Sequence, residues 1–288
     1  MTSHDVVARV RRILGGMKVG HAGTLDPDAT GVLVLCIGKA TKISSFLMAG
    51  QKEYRGVGRL GVSTDTQDAS GAVVRTRAVE ATADELRAAA ARFLGKIEQV
   101  PPMYSAVKVE GQKLYRLARR GIEVERAART VFVDTFSVGD VALPDFEFHL
   151  KCSKGTYVRT VLHDLGESLG CGGHLVRLTR SRQGVFSLDE ALAWAAIEDA
   201  GAVDAIRESW VAPERALEFL DDADWPEAVR VPRVGELLSR PHGAEAGTLV
   251  RFAHADGTCG VAQAEEGGYR ILHRFAATSG FGRSRRIS

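Results

Sequence analysis

Asparagine is missing from all 288 residues, so the chain carries no N-glycosylation acceptor. Cysteine is scarce. Cys36, Cys152, Cys171 and Cys259 stand far apart without a CxxC pair, which argues against a metal site and a disulfide framework. No apolar run approaches a membrane span, and the N-terminus lacks a charged-then-apolar signal pattern. A cytoplasmic protein with no membrane partner is expected. Excess charge of one sign is also absent, since 38 Lys+Arg against 36 Asp+Glu leave +2. A dinucleotide site is excluded as well. The formal GxGxxG at residues 56–61 runs into the polar loop 63–71 instead of opening a helix.

What is present is an ordinary globular balance, 45% hydrophobic and 26% charged, in a length that suits one large domain or one large and one small. The distribution of charge says more than its sum. Basic clusters recur at Arg9-Arg11-Arg12, Lys113-Arg116-Arg119-Arg120, Arg177-Arg180-Arg182 and Arg283-Arg285-Arg286, while acids gather over residues 214–227. Segregated arginines suggest a basic face for nucleic acid; solvated helix faces are the plainer alternative.

The chain is organised around Val19-Gly-His-Ala-Gly-Thr-Leu-Asp-Pro-Asp-Ala-Thr-Gly31. Pro27 fixes its own φ and biases Asp26 away from helix. Asp26 is thereby held on a stiff loop ahead of the apolar run 32–37, and a carboxylate so placed is a candidate nucleophile or acid/base. On this stretch alone, a turn aspartate bonding its own backbone is the simpler reading.

Elsewhere the patterns are local. Thr2 to Asp5 cap a helix whose apolar stripe is Val6, Val7, Val10, Ile13 and Leu14. Thr82 and Glu85 form a capping box for a helix over 82–94. Residues 52–62 read as a strand. Phe146, Phe148, Leu150 and Cys152 alternate with polar residues in another, which runs through Ser153-Lys-Gly-Thr-Tyr-Val-Arg159 into a helix. Residues 40–48 and 188–210 read as helices, 174–187 as a strand pair and 221–226 as a linker. Short strands at 248–252, 260–263 and 269–272 suggest a small barrel or sandwich. After Pro101-Pro102, cations interleave with Tyr104 and Tyr115 up to Arg120, as suits a segment that tracks a nucleic-acid backbone; a surface helix is the alternative.

Five motifs occur in order: Gly20-His-Ala-Gly-Thr-Leu-Asp-Pro-Asp-Ala-Thr-Gly31, Lys52-Glu-Tyr-Arg55, Arg59-Leu-Gly61 with Thr64-Asp-Thr66, Pro102-Met-Tyr-Ser-Ala106, and Cys152-Ser-Lys-Gly-Thr-Tyr-Val-Arg159. Together they resemble the bacterial TruB family of tRNA pseudouridine synthases. The resemblance implies an α+β fold: a catalytic domain on a mixed, largely antiparallel central sheet flanked by helices, plus a small β-rich PUA-like C-terminal domain. The expected division is 1–222 for the catalytic domain, with an RNA-binding insertion at about 101–129, then 223–280 for the PUA-like domain and 281–288 for a disordered basic tail. The family pattern opens with an apolar strand and a Lys-Pro-x-Gly segment ahead of the position of Met1.

The implied reaction is isomerisation of uridine to pseudouridine at position 55 of the tRNA T-arm, by base flipping, in a monomer without cofactor or metal. The resemblance makes Asp26 the catalytic aspartate, Arg159 its paired arginine and Tyr54 the tyrosine that stacks on the target base. Tyr54 is also a candidate acceptor for the C5 proton. It places His21 near the flipped-out nucleotides, and Tyr157 and Leu178 around the uracil. Lys113, Arg116, Arg119, Arg120 and Arg180 are candidates for the RNA backbone. Asp26 acts as an anion, either attacking C1′ or removing the C2′ proton, and Arg159 favours that charged form. The alternatives are a non-catalytic tRNA-binding or folding chaperone, or the same chemistry on another T-loop-like RNA. A glycoside hydrolase would need two opposed carboxylates, and Asp26 and Asp28 stand too close in sequence to supply them.

Overall fold

The computed structural model describes residues 1–109, 111–223, 233–239 and 243–276. The expected basic tail at 281–288 and the end of the expected linker, 224–226, lie outside the described residues. The chain forms two compact units, neither continuous in sequence. One comprises Leu25–Val32 and Ala49–Gln183; the other comprises Met1–Thr24, Leu33–Met48 and the chain from Gly184 onward.

The first unit is built on a largely antiparallel sheet. Its strands run, side by side, Gly173–Gln183, Lys52–Leu60, Asp145–Cys152, Arg129–Ala142 and Gly95–Gln99. The short strand Thr30–Gly31 adds a parallel pairing onto Gly173–Gln183, which makes the sheet mixed. Alternation sets its faces. Phe146, Phe148, Leu150 and Cys152 point inward and form one core with Tyr54, Leu60, Phe136 and Leu178.

Two helices close that core. Ala83–Ala91 contributes Leu86, Ala89 and Ala90, and Val158–Ser168 contributes Val161, Leu162 and Leu165. The first of them carries the expected capping box: Thr82 Oγ1 accepts from Glu85 N, and Glu85 Oε2 accepts from Thr82 N, a cap that contributes about 1 kcal/mol. The glycines of the formal GxGxxG have a packing role. A Cβ on Gly58 would lie 2.5 Å from the Phe146 ring, so the central strand needs glycine to let its neighbour's aromatics lie across it.

In the second unit, Thr2 and Asp5 cap the helix Ser3–Ile13. The strands Val19–His21 and Leu35–Ile37 pair antiparallel, and Val10, Ile37, Ile197 and Ile206 cluster. The later strands form a sheet in the order Asp221–Asp222, Leu249–Ala253, Cys259–Glu265, Gly268–Phe275, Leu237–Ser239. It packs around Val250, Phe252, Tyr269 and Ile271.

Three expectations are corrected. The helix expected over 188–210 is broken into a 3-10 turn Leu188–Glu190 and helices Trp194–Glu198 and Ala202–Glu208; Gly201 stands at the last break and does not favour helix. The 40–48 helix is mostly a 3-10 helix, Gly38–Ile43, with one α-turn, Ser44–Leu47. The start of the expected linker is a strand: Asp221 and Asp222 pair in parallel with Val250 and Arg251, and the Arg251 guanidinium bonds Asp222 at 2.7 and 3.0 Å. Among the described residues no helix is long and apolar enough to cross a membrane.

Candidate active site

The loop that carries Asp26 enters the first unit at Leu25. A turn bond from Ala29 N to the Asp26 carbonyl (3.0 Å) shapes it, and its exit is stitched to the strand Gly173–Gln183. Thr30 pairs with Thr179 and Gly31 with Arg180, and the Thr30 and Thr179 hydroxyls lie 2.8 Å apart. Gly31 has φ +100°, and a Cβ there would sit 2.2 Å from the Arg180 carbonyl oxygen. Only glycine fits this crossing.

Arg159 lies in the first turn of Val158–Ser168, and its side chain is 7% exposed. Tyr157 is the N-cap residue, without a capping side chain of its own. The buried Gln99 amide fixes it instead, accepting from Tyr157 N at 2.7 Å and donating to the Tyr157 carbonyl at 3.1 Å. So fixed, the helix start sends Arg159 among several acceptors. Its Nη2 donates to the Tyr104 carbonyl at 2.7 Å and lies 3.4 Å from Asp26 Oδ2. Its Nη1 lies 3.4 Å from Asp68 Oδ2 and 3.5 Å from the Thr66 carbonyl. The guanidinium also stands 5.9 Å from the Tyr157 ring centroid.

Asp26 is held above the usual carboxylate range. Loss of hydration is the largest cause; Asp68 and Asp28 add like charge, and Arg159 and Arg180 oppose it. The Asp26 side chain is nonetheless 45% exposed, so the carboxylate is crowded from behind and open in front. Arg159 therefore counters the loss of hydration without outweighing it. A carboxylate so desolvated is a stronger base and nucleophile than a hydrated one.

Tyr54 lies on the central strand opposite Leu150 on one side and Arg180 on the other. Its ring shares the core with Leu178, and only 7% of the residue is exposed. Burial pushes its phenol up to about 12, with Arg180 opposing. Lys52, two residues earlier on the same face, is pushed down to about 8 by burial and then by Arg180, and donates to the Gly50 carbonyl at 2.9 Å. The unit thus gathers Asp26, Arg159, Tyr54, Tyr157 and Leu178. His21 ends the strand Val19–His21 in the other unit, opposite Leu35.

Arg180 must be reassigned. As an RNA-backbone residue it would have to be exposed, but it is 1% exposed, and its Nε donates to the Val32 carbonyl at 2.8 Å. By contrast, Arg116, Arg119 and Arg120 are exposed on and just after the one-turn helix Leu114–Ala118, which Leu114 and Leu117 anchor. Lys113 Nζ and Arg119 Cζ both lie 5.7 Å from the Tyr115 ring centroid. Asp68 is a site residue that sequence reasoning misses altogether. It belongs to the polar loop 63–71, two residues beyond the Thr64-Asp-Thr66 motif, where its own position shows only turn composition.

The description "TruB family pseudouridylate synthase (N terminal domain)" matches residues 11–158, and "tRNA pseudouridylate synthase B C-terminal domain" matches residues 159–218. A tRNA pseudouridine synthase B of Opitutus terrae is 55% identical over 198 residues, 68% of this chain and 82% of the relative. One of Burkholderia mallei is 44% identical over 275 residues, 93% and 90% of the two chains. Among solved structures, a chain of a Cbf5–Nop10–Gar1 complex superposes with a TM-score of 0.72 at 25% identity, covering 99% of this chain and 84% of that one. With matches of this extent, the chain belongs to the TruB family of pseudouridylate synthases.

Proposed function

We propose that this protein converts uridine to pseudouridine at position 55 in the T-arm of tRNA, with Asp26 as the group that acts on the target nucleotide. The carrying observation is the Asp26 carboxylate, desolvated yet open on one side, with Arg159 Nη2 3.4 Å away. The names of the relatives support tRNA as substrate. Position 55 rests on the motif resemblance.

The C1′–N1 bond breaks, the uracil turns, C5 bonds to C1′, and the C5 proton leaves. Asp26 either attacks C1′ as N1 leaves with the bonding pair, the C1′–O bond then breaking as C5 bonds to C1′, or removes the C2′ proton as N1 leaves, giving a glycal and a uracil anion, and returns that proton to C2′ when C5 bonds to C1′. Either route needs the anion. Arg159 aims that anion, and Asp68 steadies the other end of the guanidinium. Tyr54 and Leu178 supply an apolar wall for the detached base. Stacking on a ring as covered as Tyr54 uses its open margin. With the phenol at about 12, a standing phenolate is scarce at neutral pH, so Tyr54 is not a pre-formed base but a relay: its hydroxyl oxygen takes the C5 proton as its own proton passes to water. The target must leave its stack, at a cost of a few kcal/mol, which phosphate contacts at Lys113, Arg116, Arg119 and Arg120 offset. Residues 223–280 act as the PUA-like RNA-binding domain.

The test is tritium release from a tRNA transcript labelled at uridine C5, with pseudouridine mapped by carbodiimide-dependent primer extension. Release with a stop at position 55, absent in Asp26→Ala, is expected. Binding without release would replace this reading with the tRNA chaperone. Release mapped elsewhere would keep the chemistry and change the target.

A further inference from the structure

We propose that Arg180 is a positioning residue of this active site: one buried guanidinium that fastens the end of the Asp26 loop to the sheet and holds the Tyr54 hydroxyl. The inference rests on the roles proposed for Asp26 and Tyr54.

A buried guanidinium is costly unless its donors are used, and Arg180 is among the largest fully buried side chains of the chain. Its partners explain why it is there. Val32 N donates to the Arg180 carbonyl at 2.9 Å, and Arg180 Nε donates to the Val32 carbonyl at 2.8 Å. Both polar groups of Val32 are therefore taken by a single residue. The side-chain-free crossing at Gly31 lets the two backbones approach closely enough for this. Since Asp26 and Val32 are only six positions apart, the clamp limits where the carboxylate can travel.

On its other side, Arg180 stands opposite Tyr54 of the adjacent central strand, and a side-chain hydrogen bond and the positive charge of its guanidinium work against the rise that burial imposes on the phenol. The same charge favours the Asp26 anion. Arg159 is committed elsewhere, to Asp26, Asp68 and the Tyr104 carbonyl. The two arginines thus divide the work: Arg159 meets the carboxylate, and Arg180 ties the loop that carries it to the tyrosine.

The experiment compares wild type, Arg180→Met and Arg180→Lys as full chains. Single-turnover rates are taken across pH, tRNA affinity is measured by filter binding, and Tyr54 is followed by the ¹³Cζ resonance that Tyr54→Phe removes. We expect Arg180→Met to lower the single-turnover rate about 10²-fold, the scale of a displaced catalytic group. Affinity should hold, the acid limb of the rate should move to higher pH, and the Tyr54 resonance should shift. Arg180→Lys should keep the acid limb near its wild-type position, because the charge stays, while losing rate and shifting the Tyr54 resonance. A full rate with an unmoved resonance in either variant overturns the proposal. So does a rate loss in Arg180→Met that is uniform in pH with Tyr54 unmoved, since that is loop packing alone. If Arg180→Met does not fold, Arg180→Lys decides by the same two readouts. An inactive wild type would overturn the function reading instead, and the Tyr54 resonance would still report on the clamp.

Discussion

Two arginine–carboxylate pairs lie in the same unit and differ in almost every respect that matters. Arg59 and Asp145 face each other across adjacent strands and bond bidentately, at 2.6 and 2.7 Å. Arg159 and Asp26 stand at 3.4 Å. By distance alone, the first pair is the better bridge. Yet its two side chains are 43% and 37% exposed, its fork and carboxylate are matched to each other, and little is left for a third group. Arg159 is covered and shared among Asp26, Asp68 and the Tyr104 carbonyl, and the Asp26 carboxylate keeps an open side. A short, matched pair is a strut, whereas a long, shared and desolvated one is a site. Closeness marks neither role; burial and spare capacity mark the second.

The largest test of that contrast is to delete each carboxylate in turn. Asp26→Ala should abolish turnover with tRNA affinity nearly unchanged, whereas Asp145→Ala should leave turnover intact; tritium release and filter binding measure both. Asp26→Asn should also stabilise the fold. A carboxyl raised on folding is favoured in its protonated form, so ionisation costs stability. The variant should melt higher than wild type at neutral pH, and the gap should close as pH falls below the unfolded value near 3.9. Equal melting at pH 7 would mean that Asp26 is not desolvated.

Next in size is the arginine. Arg159→Met should lower turnover by about 10²–10³-fold, the loss typical of a preorganised charge removed from a dry site. Without it, the Asp26 anion loses its main counter-charge, so the acid limb of the rate should move to higher pH. A rate loss with an unmoved limb would make Arg159 a packing residue. Tyr54→Phe should keep affinity and lose about 10²-fold in rate, within the usual range for a proton-transfer group. Full turnover would remove the hydroxyl from the mechanism.

The exposed arginines should behave differently again. Replacing Arg116, Arg119 and Arg120 with serine should weaken tRNA binding while the saturated rate holds. It should also flatten the dependence of affinity on salt, by about one unit of slope for each phosphate no longer neutralised. An unchanged slope would leave this segment a mere surface helix.

Legibility in the sequence follows the same line. Elements set by local chemistry are readable. The Thr2 and Thr82 caps begin their helices as expected, and the alternation of Phe146 to Cys152 falls inside the strand Asp145–Cys152. The family is readable from ordered motifs. What is not readable is which basic residues are inside. Arg177, Arg180 and Arg182 look like one cluster, but in a strand they divide. Arg180 is buried while Arg177 and Arg182 are exposed: alternation puts Arg177 on the other face, and the register shift between Arg180 and Arg182 turns Arg182 out. The one available signal is period two, which puts Arg180 on the face of Leu178. Asp68 has no such signal, since its partner Arg159 is 91 residues away and only the fold brings them together.

The smallest effect, and the sharpest check on the comparison, lies in the strut. Asp145 is held below the usual carboxylate range, chiefly by its hydrogen bonds to Arg59. Because the folded value is depressed, the pair's contribution is present above the unfolded value and is lost as pH falls through the folded one. Water reaches both partners, so screening reduces it: Asp145→Asn should cost about 0.5 kcal/mol, within the range of exposed pairs. Urea unfolding at pH 7 and at pH 3 measures this. The cost should shrink at the lower pH and also in high salt, because exposed charges are screened within about 10 Å at 0.1 M. A cost several times larger, or one indifferent to salt, would mean that a short bond between half-exposed groups does carry weight. Distance would then have to be restored as a criterion, and the loosely spaced pair at Asp26 could no longer be told from the tight one by burial alone.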